Sequence, residues 1–298
     1  MQGLYLFLWI FFIYAFLGWC TEVSYAALVT GKFVNRGFLN GPVCPVYGFG
    51  VVIVLGCLTP LADNLLLLFL GSVLLTSVLE WLTGFVLEKL FHQRWWDYSE
   101  EPFNLSGYIC LRFSVAWGFA CLFVVKLLHP TVLLMIRLIP KTLGAVLLGA
   151  QGAVMAVDLA ATVASIAKLN RRLEQIDELA ARIKEASDEF GENLAERVLD
   201  AAERGAGWKE DMDELAFKLS ERRAELADER EEREQRREER LDQARQQLEE
   251  WRASMQKLLE GESFGHRRLL KAFPRLRSID HGAALERLHR RVENFKNR

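Results

Sequence analysis

Charged residues are scarce in the first part of this chain. Residues 1–167 hold 8 Asp/Glu and 8 Lys/Arg, against 31 and 29 in residues 168–298. The whole-chain figures, 51% hydrophobic, 26% charged and a net charge of -2, therefore average two unlike compositions. So few charges cannot cover a water-soluble domain of that length, and the break near Lys168 marks a domain boundary. Cysteine is sparse and unpatterned. Cys20, Cys44, Cys57, Cys110 and Cys121 form no CxxC pair, and their odd number argues against a disulfide framework; they read as apolar packing residues. The five histidines show no metal-ligand spacing and no HExxH motif. A GxxxxGK[ST] phosphate loop is missing, so the chain alone is not expected to hydrolyse ATP, and GxSxG is missing too. These absences point to a protein that is not an enzyme and needs no cofactor or metal.

What fills the first part is apolar sequence. A helix needs about 20 mostly apolar residues to cross a bilayer core of roughly 30 Å. Five stretches qualify: 4–28, 43–61, 65–87, 109–128 and 143–167. The segment 131–139 is too short to span and carries Arg137, so it reads as an interfacial or re-entrant piece before Pro140; a count of six spans also fits. The first span lacks the basic leader of a signal peptide, and its apolar run is too long for one. The fold class expected is all-α: a polytopic membrane bundle of about five helices followed by a long cytoplasmic helical tail.

Lys/Arg bias in short loops sets the orientation. With five spans, Lys32, Arg36, Lys89, Arg94, Lys168, Arg171 and Arg172 share one side, while Lys126, Arg137 and Lys141 fall on the other. The richer side is read as cytoplasmic. This places the protein in the plasma membrane with its N-terminus outside and its tail inside.

In the tail, Leu169, Leu173, Ile176, Ala180, Ile183, Phe190 and Leu194 recur at steps of four and three, a heptad seam. Gly205 and Gly207 interrupt it, as glycines cost about 1 kcal/mol each in a helix, and suggest a hinge or hairpin. A second helix is expected from about Trp208 to Glu260, stopped by Gly261. Its centre, 228–240, has no apolar residue and reads either as a solvated spacer, with i,i+4 pairs such as Glu229–Arg233 and Glu232–Arg236, or as part of a hairpin or dimeric coiled coil that holds a partner or a second copy. Residues 261–298 carry ten Lys/Arg against four acids. They read as a solvated helical end or a basic amphipathic helix on anionic lipid, and no nucleic-acid partner is expected because no such module is present. The domains expected are thus 1–167, 168–260 and 261–298.

Ionisable groups in apolar spans are costly, by roughly 2.5–3.5 kcal/mol at a helix centre, unless they pair, face the bundle interior or line a watery path. Glu22, Glu80, Arg112 and Asp158 are such groups, and Glu80 with Arg112 is a candidate pair. Two loops are densely patterned. The first, KFVNRGFLNGPVCPVYGFG, combines glycines and prolines with Asn35 and Arg36; irregular backbone at membrane depth needs cover from protein or a cavity. The second, WWDYSEEPFNLSGYICLR, carries interfacial aromatic rings with Asp97 and Asn104. Together the loops suggest a polar vestibule or docking face, with an aromatic belt on ordinary turns as the plain alternative.

These loops, with EWLTGFVLEKLF and the later HP pair, resemble the ABC-transporter permeases of type IV, the CmpB-like membrane proteins. The resemblance covers roughly residues 1–170. Glu22, Asn35, Arg36, Glu80, Glu88, Asp97 and Asn104 fall on its patterned positions, along with Gly41, Tyr47, Gly84 and Trp117. It implies a membrane permease-like component of a transport system, the lipid bilayer and a separate ATPase subunit as partners, and no particular substrate. The rival from another class is a membrane anchor that presents its tail to cytoplasmic partners. A third reading is a membrane enzyme acting on a lipid head group through Glu80, Asp97 and Arg112.

Overall fold

A computed structural model describes residues 2–206, 220–261 and 264–294. The chain divides into two compact units, Met1–Arg171 with Glu262–Arg298, and Arg172–Gly261. The basic terminal segment, expected from its composition to stand apart, thus belongs to the same unit as the apolar helices.

In the first unit, α1 (Gln2–Thr30) is apolar around its whole circumference, as a helix surrounded by lipid and other helices must be. It pairs with α2 (Pro45–Leu58), which starts on a proline whose missing N–H would have had no partner in the first turn. The two approach closely where glycines face aromatic rings: Gly18 lies under Tyr47, and a Cβ on Gly48 would sit 2.7 Å from the Phe11 carbonyl oxygen. A short turn, Thr59–Leu61, leads to α3 (Leu65–Phe91). Asn64 caps α3 by accepting from the backbone N–H groups of Leu66 and Leu67, each at 3.1 Å. The helix ends where His92 turns left-handed, φ 54°.

After a loop, α4 (Leu111–Phe123), a wide turn at Val124–Leu128 and α5 (His129–Leu138) form one apolar rod, Leu111–Leu138. This corrects the expectation of a separate re-entrant piece at 131–139. Pro130 stands in the first turn of α5, and the wider turn before it absorbs the missing N–H, so the helix continues through the proline. The last apolar helix, α6 (Lys141–Ala206), runs on past the composition break. The core is aromatic: Trp9, Phe11, Phe12 and Tyr14 of α1 pack with Leu55, Val132, Ile136 and Leu148. A second cluster joins Val54, Leu58, Leu68 and Cys121.

Among the described residues, four helices are long and apolar enough to cross a membrane: Gly3–Thr30, Leu65–Phe91, Leu111–Leu138 and the first part of Lys141–Asp188. The fifth expected span, 43–61, is the shorter apolar helix Pro45–Leu61.

Two small ladders complete this unit. Strands β2 (Asn104–Leu105) and β3 (Ile109–Cys110) form a hairpin inside the second loop. Strand β1 (Gln93–Arg94) pairs antiparallel with β4 (Arg277–Ser278) from the chain's end. Around β4 lie α8 (Phe264–Ala272) and α9 (Gly282–Asn294). Their apolar stripes are buried at Leu269, Leu270, Ala284, Leu285 and Leu288, so the face that a lipid-bound helix would insert is already covered by protein.

In the second unit, Arg172 Nε donates to the Leu258 carbonyl at 2.7 Å, which brings the end of α7 (Ser220–Glu260) against α6. Leu173 and Ile176 are fully buried, and Trp251, Met255 and Leu258 are half-buried. Gly205 is still helical; the expected break at Gly207 and the stretch to Leu219 lie outside the described residues, as do the side chains of Phe190, Leu194, Glu229 and Arg233. Glu232 and Arg236 do pair, at 3.1 Å, but both are about 70% exposed, so the pair adds little stability.

Candidate functional site

The two patterned loops meet at one end of the bundle. Phe38 of the first loop packs on Trp95 of the second, ring centroids 5.2 Å apart, and on Phe91 at the end of α3. Beneath them lie three polar clusters, built largely from residues singled out by the sequence.

The first links α1, α3 and both loops. Glu22 of α1 accepts from the Tyr47 hydroxyl at 2.7 Å and pairs with Arg36 at 3.4 Å. Arg36 also lies over the Tyr25 ring. Asn35 holds the turn: its Oδ1 accepts from Trp19 Nε1 at 2.8 Å and from the Gly37 N–H at 3.0 Å, while its Nδ2 donates to the Asn40 carbonyl. Glu80 of α3 accepts from the Tyr98 hydroxyl at 3.4 Å, and its other carboxylate oxygen is buried without a hydrogen-bond partner. The Tyr98 hydroxyl titrates far above its ordinary value, first because it is buried, then because the charges of Glu80 and Glu22 oppose a phenolate. Two carboxylates thus sit within electrostatic reach of one tyrosine. Trp117 of α4 lines the same region, edge-on to Tyr47.

The second cluster orders the second loop. Arg94 pairs with Glu88 at 2.8 Å, reaches Asp97 at 3.6 Å and stacks over Tyr108. Asp97 also accepts from the Ser99 N–H and hydroxyl, and from Arg277 at 2.6 Å. Burial alone would raise the Asp97 carboxyl; the Ser99 hydrogen bonds and the two guanidinium charges outweigh it and hold the group below its ordinary range. Asn104 donates to the Ser99 and Glu101 carbonyls and accepts from Gly107. Gly107 has φ +70°, and a Cβ there would strike the Ser99 hydroxyl and the Asp97 carboxylate, so only glycine closes this loop.

The third cluster ties the first loop to α6. Asp158 accepts from the Asn40 N–H at 3.1 Å, the Asn40 side chain at 2.7 Å and the Gly41 N–H at 2.7 Å. Thr162 adds a bond to Asn40 at 3.1 Å. The carboxylate thus offsets its cost in an apolar helix by capping an exposed turn of backbone.

Arg112 joins none of these. It is exposed in the first turn of α4 and lies over the Phe113 ring; among the described residues no ion pair joins it to Glu80, which corrects the expected pairing. In the first turn its side chain faces outward, while Ser114, two residues on, faces α3 and accepts from Ser77. Residues that sequence reasoning passed over are Asn40, Arg268, Arg277 and Asn170, which accepts from the Gln93 side chain at 2.7 Å and donates to the Phe91 carbonyl at 2.8 Å. Asn40 precedes a Gly-Pro turn and had a local signal. The other three act on partners scores of residues away and had none. Cys44, within the first loop, is buried. No group of His, Cys, Asp and Glu among the described residues could hold a metal ion.

Apolar helices of spanning length, with loops and half-buried carboxylates gathered at one end, define a membrane protein. Residues 9–163 match the family described as "Putative ABC-transporter type IV". The match covers more than half of the chain, and the chain belongs to that family. No curated protein and no solved structure matches it.

Proposed function

We propose that this chain is a multi-pass, non-enzymatic, permease-like component of a transport system in the plasma membrane. Four long helices and the short α2 make five crossings. At 17 residues, Pro45–Leu61 spans only about 25 Å, so α2 is the thin point of the bundle. The cytoplasmic side is the loop end, where Lys32, Arg36, Lys89, Arg94 and Lys168 gather, which leaves the N-terminus outside. The observation that carries the reading is the placement of Glu22 and Glu80. Two carboxylates on separate apolar helices, each accepting from a tyrosine hydroxyl, lie beneath the two loops that join the helices at this end. This suits a polar path between α1 and α3 gated by the loops. The chain carries no nucleotide-binding motif, so energy comes from a separate ATPase subunit that docks on the loop face.

Mild-detergent purification of the tagged protein from native membranes tests this. The expected result is a stoichiometric ATP-binding chain, with ATP hydrolysis that falls when Glu22 and Glu80 are both changed to Gln in a folded protein. Unchanged hydrolysis in that double variant counts against a path at these residues.

A second reading rests on the unit Arg172–Gly261, in which two charged helices lie together. Such a rod suits an anchor that presents its tail to cytoplasmic partners. A soluble partner that leaves when 168–298 is removed, with no ATPase present, favours this reading.

A further inference from the structure

The chain's last segment clasps both loops at once. Arg268 of α8 donates to the backbone carbonyls of Gly37 and Leu39, to that of Phe38 at 3.4 Å and to the Asn40 side chain at 3.2 Å. One guanidinium thereby collects the carbonyls of the whole turn of the first loop, with the Asp158 carboxylate close by. A few residues on, Phe273 meets the Trp95 ring of the second loop at 4.8 Å, and β4 adds a strand to β1. Arg277 reaches Asp97, Ile279 donates its N–H to the His92 carbonyl at 3.1 Å, and Asp280 pairs with His92 at 2.8 Å. The polar contacts at this edge reach the surface, with His92, Asp280 and Arg277 each more than half accessible, so they are weak one by one, and the Arg277–Asp97 ion pair is open to salt. The ladder is only two residues long. The first loop joins α1 to α2 and the second joins α3 to α4, so whatever fastens one loop to the other fastens the two hairpins together at that end.

We infer that residues 264–280 form a releasable latch, with Arg268 as its bolt, that holds the two loops together and keeps the loop end of the bundle shut. The biological sense of the latch rests on the transport reading: a path beginning at Glu22 and Glu80 opens toward the loops only when these hairpins separate. The latch is an autoinhibitory contact within the chain, and anything that competes for Arg268 or for the β1 edge would release it.

The test needs no substrate. In the full chain, exposed Phe33 and Phe103, 71% and 83% accessible, are replaced by p-acetylphenylalanine and spin-labelled, which leaves the native cysteines untouched. Electron–electron resonance reads the distance between the two loops. In parallel, hydrogen exchange reads whether 264–280 has come free. In the double variant Arg268→Ala with Arg277→Ala, exchange over 264–280 should rise. A second distance population should also appear, longer by at least ~5 Å, the scale of a one-turn shift. Unchanged exchange over α3 in the same sample establishes that the bundle is folded. Arg268→Lys, which keeps the charge but not the fork, should give a smaller long-distance population. Raised exchange with an unmoved distance would overturn the latch, since the loops would then hold each other through Phe38 and Trp95. Unchanged exchange would overturn Arg268 as its bolt. A widened distance in a protein with no ATPase partner would keep the latch and remove the transport reading.

Discussion

Replacing Asp158 with alanine removes the acceptor for two backbone N–H groups of the first loop and for the Asn40 side chain. A hydrogen bond to a charged acceptor is worth about 1.5–3 kcal/mol, and a donor left unsatisfied when buried costs about 1–3 kcal/mol. Asn40 is exposed, so water replaces the acceptor for its two donors and those contacts count for little. The Gly41 N–H is half-buried and keeps most of its penalty. The sum is about 2–3 kcal/mol. For a domain of this size, 1 kcal/mol moves the midpoint by roughly 2–4 °C, so thermal unfolding in a fixed detergent should fall by roughly 4–12 °C. Asp158→Asn keeps one acceptor oxygen but turns an NH2 group toward a donor, and should lose about half as much. A midpoint for Asp158→Ala within about 2 °C of the parent protein would refute the reasoning, because the loop would then be held without its carboxylate cap.

Gly48→Ala should destabilise by about 1–3 kcal/mol, because its Cβ would push on the Phe11 backbone, whereas Gly50→Ala, with nothing within 4 Å, should be neutral or stabilising; unfolding midpoints of the pair decide it. Asp97 has a depressed carboxyl, so its contribution is complete above its ordinary value of 3.8 and is lost as pH falls below it; Asp97→Asn should flatten the acid limb of a stability–pH profile and leave the alkaline limb alone. An identical acid limb in both proteins would contradict the Arg94 and Arg277 pairing. Arg112→Ala should change stability by no more than about 0.5 kcal/mol, since that side chain is exposed, and a larger loss would restore the partnership with Glu80.

Long apolar runs and the composition break near Lys168 made the helices and their order legible from the sequence, because a spanning helix is specified residue by residue along its own length. The same holds for the polar loops. Asn35 closes a turn within five residues of itself, and Gly107, Asn104 and Asp97 build one local turn, so their types and spacing carried the information. Arg112 was misread because a charge in an apolar stretch suggests a partner, while its place in the first turn of α4 turns it outward. The short α2 and the continuity of α4 with α5 were hidden for a related reason: hydropathy does not reveal how a helix accommodates a proline. Least legible was the end of the chain. Arg268 and Arg277 sit in a basic run whose composition suggested lipid or solvent, and the loops they bind lie 228 and 180 residues earlier. Only the fold brings a strand of two residues, two guanidinium groups and one aromatic ring onto the loop face.

The central claim is that the loop face docks an ATPase. A photocrosslinking residue, p-benzoylphenylalanine, placed at exposed Phe103 of the second loop in native membranes tests it most directly. The prediction is capture of one ATP-binding chain at this position, lost when Asp97 and Asn104 are replaced and the loop is disordered. Capture of an ATP-binding chain from α7 positions alone, or of no ATP-binding chain from any loop position, would contradict it.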